Sequence, residues 1–123
     1  MDSLELQTRT KKLAALVIDF AERLPRNYSC EVIAKQMIRS ATSVAANYRA
    51  AGRARSRADF VNKLGIVEEE ADETLFWIEM LIEAKKIHEA DAQMLLKEVK
   101  EIVAIFSTAH KTARTNAKNQ KNI

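Results

Sequence analysis

The residue types most able to carry out chemistry in this sequence are two histidines, one cysteine and a dense group of carboxylates. A di-metal site in a helical bundle needs a glutamate and a histidine three positions apart on one helix, so that both project into the core. Lys85 and Ser107 stand three positions before His88 and His110, and neither is acidic. The sequence therefore predicts no metal site, and nothing in it indicates a bound cofactor.

Cys30 is the only cysteine, so it cannot close an intramolecular disulfide. It stands near the expected start of a helix, where a thiol can become reactive, but no histidine is near it in sequence. A small, partly buried side chain is the favoured interpretation. Asp2, Glu5 and Arg9 interrupt any signal-like apolar run, and no apolar stretch approaches the roughly 20 residues of a membrane span. We expect a soluble, cytoplasmic protein.

A cluster of carboxylates lies on what should be a single helix. Its members are Glu68, Glu69, Glu70, Asp72 and Glu73. Consecutive helix positions point in different directions, so these groups do not converge for acid–base catalysis, and we expect no enzyme. If two helices form a hairpin that turns near Arg55, Arg39 lies level with Asp72 and Glu73. We therefore predict that Arg39 forms a structural ion pair, within one chain or across subunits, with Glu69, Glu70 or Glu73.

The formal net charge is only +3, but the basic residues are unevenly distributed. Two stretches contain no acidic residue, one from Val32 to Ala58 and one that follows Glu101. The candidate nucleic-acid-binding residues in them are Arg49, Arg53, Arg55 and Arg57, and then Lys111, Arg114, Lys118 and Lys121. Contacts of such side chains with phosphates dominate the affinity of proteins for nucleic acid. A solvated helix end that keeps the protein soluble is the alternative explanation.

The elements that position these residues are helices. Only two glycines and one proline occur in 123 residues, whereas Ala, Leu, Glu, Lys and Arg are abundant, which indicates one all-α domain. Apolar residues at spacings of three and four predict helices over about 4–24, 30–51, 57–86 and 89–111. Pro25 ends the first helix, and Ser29 and Ser56 are the expected N-caps of the second and third.

Short connections between these helices favour antiparallel neighbours. The sequence therefore predicts an up-down-up-down four-helix bundle over residues 1–113. Residues 114–123 are polar and have no apolar stripe, so we predict a basic flexible tail there.

The predicted helices carry more apolar surface than one four-helix core can bury. Ser43, Ala46 and Ala50 form a small-residue face on the second helix, away from its core stripe. The second half of the third helix is apolar nearly all round, so that Phe76 and Met80 add to this surplus. An apolar patch of this size exposed to water is unfavourable in a soluble protein. We therefore predict that these five residues form the interface of a homo-oligomer.

The stretch from Arg39 to Asn47 reads RSATSVAAN, and it is followed by Gly52, a basic turn, Phe60 and then the run EEEADET from Glu68. This order resembles the four-helix-bundle family first met as proteins encoded in intervening sequences of bacterial 23S ribosomal RNA genes. The resemblance implies an up-down-up-down bundle that assembles into a homopentamer. A related group serves diversity-generating retroelements by binding a reverse transcriptase and nucleic acid, which implies the same partners here.

The sequence as a whole favours a non-enzymatic, oligomeric accessory protein. Its basic surface would bind the phosphate backbone of RNA or DNA without base specificity, and a reverse transcriptase is the protein partner that the resemblance implies. The alternative is a scaffold for protein–protein interaction that has no direct role with nucleic acid. Binding that weakens steeply with salt would distinguish the first from the second.

Overall fold

The computed structural model of the chain describes residues 2–121, which form four α-helices. The helices are α1 (Ser3–Glu22), α2 (Tyr28–Ala51), α3 (Arg57–Glu83) and α4 (Glu89–Lys121). No strand occurs in this part of the chain. The connections between the helices are short, which places successive helices side by side and antiparallel.

The helices pack as a four-membered ring. Each helix packs against the next in sequence, and α1 closes the ring against α4, whereas the diagonal pairs α1–α3 and α2–α4 make no close backbone approach within residues 2–121. This arrangement confirms the predicted all-α, up-down-up-down four-helix bundle. The seam between α1 and α4 is the loosest of the four.

The core consists of one apolar stripe from each helix. Fully buried members include Leu13, Val17, Met37, Val44, Val67, Ile78, Ile102 and Phe106. Burying one such side chain stabilises the fold by about 1.5–3 kcal/mol relative to leaving it in water. The stripes therefore determine which face of each helix points inward and which remains available to partners.

Two hydroxyl groups fix the register of α2 against α3. Ser40 and Thr74 are both buried, and their side-chain oxygens lie 2.7 Å apart. One of these hydroxyls donates to the other, and the second donates within its own helix, either Ser40 to the carbonyl of Met37 or Thr74 to that of Glu70. Because an unpaired buried hydroxyl costs about 1–3 kcal/mol, a shift of one helix along the other is disfavoured.

The helix starts are set by side-chain caps, one of which differs from the prediction. Ser56 caps α3 as expected, because its oxygen accepts from the backbone N–H of Asp59. The prediction that Ser29 caps α2 is wrong. Asn27 accepts from the backbone N–H of Cys30 instead, and Ser29 lies inside the helix, where its hydroxyl donates to the Asn27 side chain.

The end of α4 also differs from the prediction. The flexible tail expected from residue 114 is wrong for the described residues, since α4 continues as a helix to Lys121. Ala113 is buried, and Ala109 and Ala117 are half-buried at the same four-residue spacing. These alanines continue the inner stripe past Phe106. Their side chains are so small that the sequence shows no apolar stripe there.

The predicted end of α3 is wrong as well, because this helix ends at Glu83 rather than near residue 86. Lys85 adopts a left-handed backbone conformation with a φ of 59°, which the helix cannot accommodate. The chain therefore turns toward α4 one residue after Ala84, the C-cap of α3.

The α3–α4 seam is closed by a glycine, a histidine and a glutamate. The imidazole of His110 lies over Gly65, where an added Cβ would stand 3.1 Å from His110 Nε2. The other ring nitrogen, Nδ1, is 2.8 Å from Glu68 Oε1. The hydrogen bond with His110 chiefly lowers the pKa of Glu68, against the opposing effect of burial, and Ser107 and the charge of Arg114 lower this pKa further.

Replacing Asn27 by Ala should destabilise the protein by about 1 kcal/mol, because it removes the cap of α2. Urea unfolding followed by circular dichroism measures this free energy. Ser29→Ala is the matched control and should change it by less than about 0.5 kcal/mol. A larger effect of the Ser29 variant would show that the cap had been assigned to the wrong residue.

Replacing Glu68 by Gln should destabilise the protein at neutral pH but not in acid. Because the pKa of Glu68 in the folded chain lies below its ordinary value of 4.5, the carboxylate stabilises the fold above that pH. This contribution is lost as the pH falls through the folded-state pKa. The difference in unfolding free energy between wild type and E68Q should therefore shrink between about pH 7 and about pH 3.

Glu69 provides the control for this titration, since it is exposed and belongs to none of the ion pairs between described residues. The variant E69Q should follow the wild-type pH profile. An E68Q difference that stayed constant over the whole range would contradict the assigned role of the Glu68 carboxylate.

Candidate nucleic-acid interface

Two contacts establish which helix ends share one end of the bundle. The Tyr48 hydroxyl donates to Ser3 Oγ across 3.4 Å, which joins the end of α2 to the start of α1. His110 contacts Gly65 and Glu68, which joins the last third of α4 to the first half of α3. The end of α2, the start of α3 and the end of α4 therefore lie at the same end of the molecule.

Both basic stretches of the sequence come together at this end. We call it the basic end, and its members are Arg49, Arg53, Arg55, Arg57, Lys111, Arg114 and Lys118. All seven are exposed. The side chain of Lys121, the eighth predicted residue, lies outside the described part of the structure. Two sets of cations more than fifty positions apart in sequence thus lie at one end of the bundle.

A shallow cleft of about 600 Å³ lies between α2 and α3 within the basic end. Its lining residues are Ala46, Arg49, Ala50, Arg53, Arg55, Asp59 and Lys63. The two alanines have small side chains, which leave room for the cleft, and the cations surround it. An exposed cleft of this kind can accept an anionic group such as a phosphate, because several guanidinium groups can approach it from different sides.

The one carboxylate in this cleft is already engaged. Asp59 accepts from the backbone N–H of Arg55 at 3.1 Å and from Lys63 Nζ at 2.9 Å. The hydrogen bond from Lys63 chiefly lowers the pKa of Asp59, with help from the Arg55 backbone and against the effect of desolvation. Asp59 therefore organises the turn, and it leaves the arginine side chains of the cleft available.

The five arginines of the basic end make no ion pair with any carboxylate in residues 2–121. Arginines in the body of the bundle differ in this respect. Arg9 reaches from α1 to Glu98 and Glu101 of α4, at 2.6 Å from an oxygen of each. Most of the arginines that make no ion pair within residues 2–121 thus lie at or near helix ends.

Arg39 lies against two of the three carboxylates that were predicted as its partners. Its Nη1 is 3.0 Å from Glu70 Oε2, and its Nη2 contacts Glu73. These contacts join α2 to α3 within one chain. Glu69, the third candidate, is exposed and contacts neither nitrogen.

The residues predicted to form an oligomer interface lie on the outer surface of α2 and α3. Phe76 is 48% exposed and packs edge-to-face on Trp77, with ring centroids 5.0 Å apart. Met80 is half-buried, Ala46 is exposed and Ala50 is half-buried. Ser43 is held by Asn47, whose amide nitrogen donates to the Ser43 carbonyl and hydroxyl.

Sequence reasoning missed the groove between α1 and α4. It has a volume of about 780 Å³, and its lining combines charged side chains with the apolar Leu16, Phe20, Met94 and Leu95. Leu16 is 44% exposed and Met94 is 88% exposed. The partners of the nearby Arg9 are almost ninety positions away in sequence, so no local spacing could have indicated this pairing.

The described residues give little support for a metal site, a reactive thiol or a membrane span. Within residues 2–121, no three His, Cys, Asp or Glu side chains gather in a way that could hold a metal ion. Cys30 is buried. The described helices include none that is long and apolar enough to cross a membrane.

Comparisons with known proteins agree with this geometry. Residues 2–108 match the family described as 23S rRNA-intervening sequence protein. A crystal structure at 1.70 Å of a protein with unknown function, from the S23 ribosomal protein family of Bacteroides thetaiotaomicron VPI-5482, has a TM-score of 0.80 and 32% identity, and the alignment covers 90% of this chain and 99% of that one. No curated protein matches.

Neither the family description nor that of the structural relative names an enzymatic activity. The family match takes in α1, α2 and α3 completely and more than half of α4, so it covers the buried core up to Phe106. This chain therefore belongs to the family of 23S rRNA-intervening sequence proteins.

Proposed function

We propose that this protein is a non-enzymatic accessory protein that binds the phosphate backbone of RNA or DNA through the basic end. The observation that carries the proposal is that seven exposed cations from two distant parts of the sequence share one end of the bundle. Phosphate contacts by Lys and Arg supply most of the sequence-independent affinity for nucleic acid. Guanidinium groups without a protein partner can make such contacts without first breaking an ion pair.

The charge distribution at the opposite end of the bundle indicates that these cations do more than keep the protein soluble. There, the cations Arg23, Arg26, Lys85 and Lys86 are interspersed with the carboxylates Asp19, Glu22, Glu31, Glu83 and Glu89. A surface that only needs to stay soluble mixes both signs of charge in this way. The basic end also holds Asp2 and Glu5 at the start of α1, Asp59, which Lys63 binds, and Glu68, which His110 contacts, but its cations outnumber these carboxylates.

Self-association forms part of the proposal. The exposed ring of Phe76 and the half-buried Met80 leave apolar surface on α3 that a second copy of the chain can cover. A ring of copies would repeat the basic end around its axis and raise the affinity for a long polyanion. The family resemblance suggests five copies and, as a further partner, a reverse transcriptase.

A protein-interaction scaffold is the second candidate function. The groove between α1 and α4 favours it, because Leu16 and Met94 are exposed there beside a loosely packed seam. Binding of a protein partner at that groove would depend little on salt. Blocking this groove should therefore leave nucleic-acid binding intact, so the two functions can be tested separately.

Replacing Arg49, Arg53 and Arg55 together by Gln should weaken binding to both RNA and DNA. Binding is measured by fluorescence anisotropy with labelled oligonucleotides over a series of salt concentrations. The slope of log K against log salt should become shallower by about 2 to 3, since each lost phosphate contact removes a little under one.

The matched control replaces Arg26, Lys35 and Lys86 by Gln, which changes the net charge equally at exposed positions away from the basic end. Its salt dependence should equal that of wild type. Equal losses of affinity in both variants would show that only the net charge matters. Unchanged binding by the R49Q/R53Q/R55Q variant would rule out the α2–α3 cleft as the binding site.

Replacing Phe76 by Asp should convert the protein into monomers, because a buried carboxylate at a subunit interface has no partner. Light scattering should give a multiple of 13.9 kDa for wild type and a single unit of this mass for F76D. Tyr28→Asp is the control, since Tyr28 is an even more exposed aromatic residue at the start of α2. Wild type that is itself monomeric would refute the interface.

A further inference from the structure

The last three turns of α4 extend beyond α1. Arg9 of α1 binds Glu98 and Glu101, and six positions separate Arg9 from Ser3, where α1 begins. Because the two helices are antiparallel, α1 begins level with about residues 104–107 of α4. From about residue 108 onward, α4 is accompanied mainly by α3, which contacts it at His110. We call this segment, residues 108–119, the α4 extension; it is about 18 Å long.

The exposed surface of the α4 extension is cationic or neutral but never acidic. Its exposed residues are Thr108, Lys111, Thr112, Arg114, Thr115, Asn116, Lys118 and Asn119. No carboxylate follows Glu101 in the sequence, whereas the first part of α4 alternates Lys97 and Lys100 with Glu98 and Glu101. The same helix therefore changes from a mixed-charge surface to one that carries cations, hydroxyls and amides.

The helix dipole does not explain this change. Cations stabilise the C-terminal end of a helix only within about the last turn. Since α4 ends at Lys121, Lys111 and Arg114 stand about three and two turns before its end, respectively. In addition, the match to the family ends at residue 108, so residues 109–119 of the extension lie outside the matched part.

We propose that the α4 extension inserts into the major groove of duplex DNA. This inference rests on the proposed function and adds the kind of nucleic acid. The major groove of B-form DNA is about 12 Å wide and admits one α-helix. Lys111, Arg114 and Lys118 recur at spacings of three and four, so they share one face and can contact a line of phosphates.

The neutral residues of the extension provide groups that contact base edges. The Asn116 and Asn119 amides can pair with adenine, and threonine methyl and hydroxyl groups can contact thymine or either kind of base. Thr112 and both asparagines are exposed. Duplex RNA is a poorer partner for this helix, because its A-form major groove is too deep and narrow for side chains to read.

The test compares one sequence presented as duplex DNA, duplex RNA and single strand, each labelled for fluorescence anisotropy. The full-length protein should bind duplex DNA more tightly than duplex RNA at the same salt concentration. Methylation of guanine N7, which lies in the major groove, should be reduced in the complex with DNA. Equal binding of both duplexes, or unprotected N7 positions in a saturated complex, would overturn insertion of the helix.

Two variants separate the roles within the extension. K111Q/R114Q/K118Q should reduce the salt slope for duplex DNA by about 2 to 3, whereas K11Q/K97Q/K100Q, with the same change of charge, should leave it unchanged. T112A/N116A/N119A keeps every cation, so it should retain the salt slope and lose discrimination between DNA sequences. Wild-type slopes and discrimination in both extension variants would overturn the proposal.

These outcomes distinguish this inference from the proposed function. If R49Q/R53Q/R55Q loses binding while K111Q/R114Q/K118Q binds like wild type, the protein binds nucleic acid but not through the α4 extension. If wild type binds none of the three nucleic acids even at low salt, the proposed function fails and the inference fails with it.

Discussion

The burial of one apolar stripe from each of four helices is the constraint on which the other features of this molecule depend. Leu13, Met37, Val67 and Ile102 illustrate it, since each is fully buried and each comes from a different helix. A buried stripe fixes the rotation of its helix, and short connections fix the helix direction. The outward faces follow from these two conditions. Consequently, residues that are far apart in sequence reach the same end of the bundle without any contact between them.

Charge distribution along the bundle follows from where helices face one another. In the middle of the molecule a long side chain on one helix always has a neighbouring helix within reach, and Arg9 and Arg39 find carboxylates there. At the basic end, Arg53 and Arg114 make no ion pair with a carboxylate of residues 2–121, although the charge of Arg114 contributes to lowering the pKa of Glu68. Positive potential therefore accumulates at this end even though the formal net charge is only +3.

The sequence predicted the helices well where large apolar residues set the periodicity, and less well where small or polar residues decided the outcome. The cap at Asn27 was missed because Ser29 has an equally suitable side chain, and only the backbone path distinguishes them. Phe60 stands four positions before the buried Leu64 but is 37% exposed, because α3 has only just begun at that level. The link from Arg9 to Glu98 joins the first helix to the last, and no local pattern reports such a contact.

The alanines of α4 show why the helical state of its last turns matters for binding. A disordered basic tail would lose about 1–2 kcal/mol of backbone entropy for each residue that it orders on a partner. Ala109 and Ala113 pack the segment inward, so this ordering has already occurred in the folded protein. A preformed helix also holds Lys111, Arg114 and Lys118 on one face, whereas a flexible chain would distribute them over many directions. The small alanine side chains gave no apolar pattern in the sequence, but their packing holds the cations of this helix in a rigid arrangement.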